Sequence, residues 1–174
     1  MSIFKVIVKT NNGVETLLDR LTYIKRVNAA KSRYIEGINV SSTYAYPQMM
    51  QVKREYDQTI GKAYFHYMLD FAPEDYEHFD NYTLHKIGYE TASYISCFYG
   101  VYQVVMSIHF DTEPHIHYIV NNIDLITGAR FDLPLRRLSE MKKGISEILN
   151  HYGITAIEQS PYYDAVPYDS FDSV

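Results

Sequence analysis

Tryptophan is absent from this 174-residue chain, and cysteine occurs once. No apolar run approaches the ~20 residues that a membrane-spanning helix needs. The lone Cys97 excludes an internal disulfide, and its apolar neighbourhood predicts a reduced, buried thiol. Cations are also scarce. Sixteen Lys and Arg against 21 Asp and Glu give a net charge of -5, which argues mildly against DNA binding, because phosphate contacts usually come with a basic balance. Part of that deficit is local, because the stretch PYYDAVPYDSFDSV after Ser160 carries Asp164, Asp169 and Asp172 with no Lys or Arg. Without those three acids the balance is -2, which leaves room for a basic groove. The opening MSIFKVIVKT reads as strand-like alternation without signal-peptide architecture, so a cytoplasmic protein is expected. There is no internal repeat and no low-complexity tract.

What is present suits one soluble globular domain. Hydrophobic residues make up 47% and charged residues 21%, well away from the composition of a disordered chain. A single core is expected over residues 1–160, followed by an acidic, flexible tail over 161–174. The 18 tyrosines fit either a base-stacking surface or compositional drift, and their number alone does not separate the two.

Residues 3–8 read as a strand, and Asn11-Asn12-Gly13 as a turn. Val14, Leu17, Leu18, Leu21 and Ile24 recur at helical spacing and predict a helix over 14–28. From Ala29 to Gly61 periodicity is weak, so the expectation is irregular structure with a short helix near Gln48–Tyr56. A strand over 63–71 closes at Pro73, and a helix follows over 80–98. Two strand-like runs, 101–109 and 115–122, flank a short polar link and predict an antiparallel hairpin. A short strand over 129–133, a helix over 135–151 ended by Gly153, and a strand over Ile154–Ile157 complete the reading. Together these make an α+β domain with a central antiparallel sheet and flanking helices.

Parity gives the hairpin its chemical meaning. Side chains alternate faces along a strand, so His115 and His117 point the same way. A link centred on Thr112 puts His109 opposite His115, and opposed residues share a face. Three imidazoles then converge on one side, while Val104, Met106, Ile108, Ile116, Tyr118 and Val120 form an apolar face on the other. Three neutral imidazoles suit a divalent metal site with an open position; singly, each would read as a surface or satisfied core histidine. Asp111, in the link, fits either a turn-forming role or a carboxylate that holds an imidazole or accepts a proton. Lys25, Arg26, Lys31 and Arg33 form a basic cluster suited to DNA phosphates, although a solvated helix end would look the same. His66, among Tyr64, Phe65, Tyr67 and Met68, reads as a structural hydrogen-bonding residue.

The run HFDTEPHIHYIVN over residues 109–121 resembles the metal motif of conjugative relaxases, within the His-hydrophobic-His endonuclease superfamily. The likeness extends to an early helix bearing Tyr23, to the strand Tyr64–Phe71 with Pro73, to His85-Lys86-Ile87-Gly88, and to Thr127-Gly128 with the helix before Tyr152-Gly153. It is greatest to relaxases of Gram-positive mobile elements. The resemblance implies a relaxase-like fold and a nuclease acting on single-stranded DNA at an origin of transfer, alongside accessory relaxosome proteins. It implies a divalent metal on His109, His115 and His117, with Mn or Mg favoured and Zn compatible. It also implies an early nucleophile, for which Tyr23 is the choice over Tyr34; no histidine precedes His66. Nicking would leave a 5′-phosphotyrosyl strand, with Asp111 assisting. Two other classes fit the histidines less fully: a three-His zinc hydrolase of a small substrate, and a non-catalytic single-stranded DNA-binding module.

Overall fold

The fold is built around strands too apolar to leave either face in water. The structure, a computed structural model, describes residues 2–8, 12–155 and 165–167. In chain order, β1 (Ile3–Val8) leads into α1 (Val14–Ile24), β2 (Ala30–Ile38) and α2 (Ala45–Glu55). Then come β3 (Tyr64–Asp70), the single turn α3 (Pro73–Tyr76) and α4 (Asn81–Ser96). The hairpin β4 (Val104–His109) and β5 (His115–Asn121) precedes α5 (Leu135–His151), and β6 (Ala165–Pro167) is the last element. Five strands run antiparallel in the order β2-β4-β5-β3-β1, with β6 alongside β1 in parallel.

The alternating side chains of the hairpin sort into two cores. Val104, Met106, Ile108, Ile116, Tyr118 and Val120 pack with residues of α4 and α5, including Leu84, Ile87, Met141 and Ile145. On the opposite face Val105 and Ile119 pack with Leu17, Leu21 and Ile24 of α1 and with Met49 and Met50 of α2. At ~25 cal/mol per Å² of apolar surface removed from water, this two-sided burial is the main force that fixes the register. The Asp80 carboxylate accepts from the Thr83 amide at 2.7 Å and starts α4. At Gly88 a Cβ would lie 2.9 Å from Ile116 Cδ1, so glycine lets α4 approach the sheet closely.

Several expectations are corrected. The helix expected over 14–28 stops at Ile24, where the chain turns to form β2. That strand occupies part of the stretch expected to be irregular; it is an edge strand whose first half is largely exposed, so it carries little hydrophobic alternation. Of the strand expected over 129–133 only the isolated bridge between Ile123 and Arg130 forms. Cys97 is exposed, because at the C-cap of α4 it continues the solvent-facing side of the helix that carries Lys86 and Ser93. Ile154 and Thr155 are not in a strand, and the remainder of that expectation lies outside the described residues. The tail expected over 161–174 also lies outside them apart from β6. Among the described residues no helix is long and apolar enough to cross a membrane.

Candidate metal and nucleic-acid site

The β4–β5 ladder sets His109 directly opposite His115, and β3 sets Met68 opposite His117. The three predicted imidazoles therefore meet on the α1 face of the sheet. Their ring centroids lie 5.1 Å (His109 to His115), 4.4 Å (His109 to His117) and 5.0 Å (His115 to His117) apart. One ligand nitrogen from each falls within 4.8 Å of the others. His109 and His117 are buried, and His115 is half-buried at the rim.

Hydrogen bonds decide which nitrogens face inward. His109 Nε2 lies 2.8 Å from the Ile24 carbonyl, which can only accept, so that nitrogen carries the proton. Burial, reinforced by His115 and Arg26 against the opposing pull of the Ile24 carbonyl and Asp111, lowers the His109 pKa to about 4. The ring is neutral at ordinary pH, and its buried Nδ1, which has no hydrogen-bond partner among the described residues, presents a lone pair. His115 donates from Nδ1 to the Glu113 carbonyl at 2.9 Å, which leaves Nε2 as its lone-pair nitrogen when neutral. His117 Nδ1 lies 2.9 Å from Nε2 of His66, and its own buried Nε2 has no hydrogen-bond partner among the described residues. Burial first, then the neighbouring histidines, holds His117 well below the usual imidazole range. Orphaned buried nitrogens are costly unless something occupies the space between them, so the donor set fits a divalent cation.

The remaining predicted residues surround this centre unequally. The Tyr23 ring, at the end of α1, lies 5.7 Å from that of His117 and 6.0 Å from that of His109. Arg26 stacks on Tyr23 with its guanidinium carbon 4.1 Å from the ring centroid. Asp111 pairs with Arg26 at 2.7 Å instead of holding an imidazole. Burial pushes the Asp111 carboxyl up, but the Arg26 hydrogen bond and charge, helped by His109, outweigh it and leave it below the ordinary carboxylate range. Lys25 turns away to the Ser42 carbonyl at 3.1 Å. Lys31 and Arg33 are exposed on β2, and Tyr34 packs against Phe110 and His85, away from the three histidines.

The role of His66 against His117 was not legible from composition; only pairing β3 with β5 brings it there. A cavity of about 510 Å³ opens beside the centre, with His115, Asp70, Glu74 and Glu113 in its wall. Asp70 there forms an ion pair with Lys5.

Comparison with known families places residues 23–154 within "Relaxase: MobA/VirD2-like, nuclease domain". No curated protein matches the chain. Among solved structures, the MobM relaxase domain bound to plasmid pMV158 oriT DNA, with Mn, superposes with a TM-score of 0.69 at 13% identity, covering 99% of each chain. A second MobM complex, with a thiophosphate-bearing oligonucleotide, gives 0.69 at 12% identity over 98% of this chain and 97% of that one. A structure from work on vancomycin-resistance transfer in Staphylococcus aureus gives 0.61 at 13% identity, covering 92% of this chain and 98% of that one. Identities this low speak for the shared fold.

Proposed function

Since the chain belongs to the MobA/VirD2-like family of relaxase nuclease domains, we propose that it nicks one DNA strand at an origin of transfer by tyrosine transesterification. In this reading His109, His115 and His117 hold a divalent metal and Tyr23 is the nucleophile. One observation carries it: the Tyr23 ring packs against two imidazoles that each keep one buried ring nitrogen without a hydrogen-bond partner among the described residues. The Mn and oriT DNA bound by the MobM domains of the same fold support it. Mn²⁺ or Mg²⁺, when bound, supplies Lewis acidity at the non-bridging oxygens of the scissile phosphate and fixes their orientation.

The chain's own groups do the rest. Tyr23 Oη forms a bond to phosphorus as the bond to the 3′ oxygen breaks. The phenol loses a proton and the departing 3′ oxygen gains one, so the products are a 5′-phosphotyrosyl strand and a free 3′-hydroxyl. Arg26, stacked on the ring, favours the negative charge that develops on the phenol. Asp111 holds that guanidinium and, as an ionised carboxylate, can take up the phenol proton. Because one ester is exchanged for another, the step reverses and reseals the strand without ATP. The setting is the bacterial cytoplasm, with accessory proteins assembled on the same origin.

The test is incubation of metal-loaded protein with a fluorescent single-stranded oligonucleotide spanning the origin. A covalent protein adduct on the 5′-phosphate end created by the nick, abolished by EDTA, is the expected result. Metal-dependent cleavage by water without an adduct would instead favour a three-His hydrolase. Binding without any cleavage would favour a non-catalytic module.

A further inference from the structure

The β2–β4 ladder contains an irregularity beside the metal centre. Ala30 pairs with His109 and Ile35 with Ser107, so four residues of β2, Lys31 to Tyr34, stand opposite the single Ile108. Bulges of this kind re-aim side chains and gather beside functional sites. Here the bulge begins next to a metal-site histidine, exposes two cations, Lys31 and Arg33, and leaves the Tyr34 ring half-buried against the core. Lys31 Nζ lies 5.5 Å from the Phe110 ring centroid, and the Arg33 guanidinium carbon 4.8 Å from that of Tyr34. Phe110 directly follows His109, and its ring is 5.5 Å from Tyr34, which is in turn 5.8 Å from His85 of α4.

This aromatic track leads into a groove of about 290 Å³ between β2 and α4, walled by Tyr82, His85, Lys86, Tyr89 and Glu36. Tyr82, His85, Lys86 and Tyr89 recur at helical spacing and share one face of α4. Large apolar rings are normally withdrawn from water, yet Tyr82 is 72% and Tyr89 46% exposed. The one acid in the wall, Glu36, is matched by His85 Nε2 at 3.2 Å. Lys31, Arg33 and Lys86 give this face a cationic character in a chain whose net charge is -5. Exposed π-faces interleaved with cations are what successive unpaired bases and their phosphates require, and they fit an apolar peptide poorly.

We propose that the bulge Lys31–Tyr34, Phe110 and the outer face of α4 form a single-stranded DNA path leading away from the metal centre, with bases stacked on Tyr34, Tyr82 and Tyr89 and phosphates paired with Lys31, Arg33 and Lys86. It rests on the nuclease reading above for the identity of the strand, but not for its own test. The path holds the flank of the substrate, outside the reacting phosphate, so it governs affinity more than chemistry.

The probe is a fluorescein-labelled oligothymidylate of about 20 nucleotides, longer than a typical stacking site, titrated by anisotropy in EDTA so that the metal centre contributes nothing. Tyr82→Ala/Tyr89→Ala, at exposed positions where folding is not at stake, should weaken binding by roughly 5- to 150-fold for each stacked base lost. Lys31→Ala/Arg33→Ala should flatten the salt dependence by about 1.4 in log–log slope, from ~0.7 per phosphate on a single strand. A 5-iodouracil oligonucleotide should photocrosslink to Tyr34, Tyr82 or Tyr89. Unchanged affinity in the tyrosine double variant, or crosslinks confined to other elements, would overturn the path. If wild type nicks while the tyrosine variant binds normally, only the path is lost; if wild type never nicks yet the EDTA binding depends on these tyrosines, the nuclease reading is lost and the path stands.

Discussion

Replacing His66 by alanine removes the acceptor that fixes the proton of His117. With Nε2 as its ligand nitrogen, His117 carries its proton on Nδ1 and donates it to His66 Nε2 at 2.9 Å, inside a pair that is 4% (His66) and 2% (His117) exposed. That bond keeps Nε2 as the lone-pair nitrogen facing His109 and His115. Without it the proton is free to move to Nε2, into the space a cation would occupy, and water is poorly placed to restore the bond. Loss of such a partner of a ligating histidine typically costs 10- to 100-fold in metal affinity, or ~1.4–2.7 kcal/mol. A buried N–H left unpaired costs a similar ~1–3 kcal/mol. The assay is titration of Mn²⁺ into His66→Ala protein, with free ion followed by electron paramagnetic resonance and a thermal melt as control for folding. His66→Gln, whose amide oxygen can accept the same proton, should recover part of the loss. A folded His66→Ala protein that binds Mn²⁺ as tightly as wild type would refute the tautomer argument.

Tyr23→Phe deletes only the phenol oxygen, so folding, Mn²⁺ binding and oligonucleotide affinity should persist while the DNA adduct disappears; mass spectrometry mapping the phosphotyrosine to another residue would reject this nucleophile. His115→Ala, at the half-buried rim, should abolish nicking with little change in melting temperature, and retained nicking would contradict a three-His site. Lys53 is 0% exposed and donates to the Ala63 carbonyl and Asn121 Oδ1, both at 2.6 Å, and to Asn122 Oδ1 at 3.1 Å. Lys53→Met would strand these oxygens and should cost ~2–4 kcal/mol, a fall of ~4–16 °C for a chain of this size in a thermal melt. Burial, then Arg130, lowers the Lys53 pKa to about 7 from 10.5, so between those values the unfolded chain binds more protons. Wild-type stability should therefore rise with pH across that window, by at most ~1.4 kcal/mol per pH unit, and chemical denaturation of Lys53→Met should lack this component of the slope.

The sequence by itself determined whatever depends on local periodicity. Alternation along residues 104–109 and 115–121 fixed which side chains share a face, and the structure pairs His109 with His115 as that parity requires. Helical spacing likewise located α5 with its buried Leu138, Met141, Ile145 and Leu149, because an amphipathic stripe is written in consecutive residues. The tertiary structure decided the rest, because those features depend on partners far apart in the chain. The strand β2 was illegible: as an exposed, bulged edge its shape is imposed by β4, not by its own pattern. The Arg26–Asp111 pair spans 85 positions, and the bond from His66 to His117 spans 51. Lys53 looks like any helix lysine until α2 packs over the ends of β3 and β5 and surrounds it with carbonyl oxygens. Cys97, in an apolar run, is exposed because it falls on the side of α4 that turns away from the sheet. Periodicity states which face a residue occupies, but only the packing of distant elements states what that face meets.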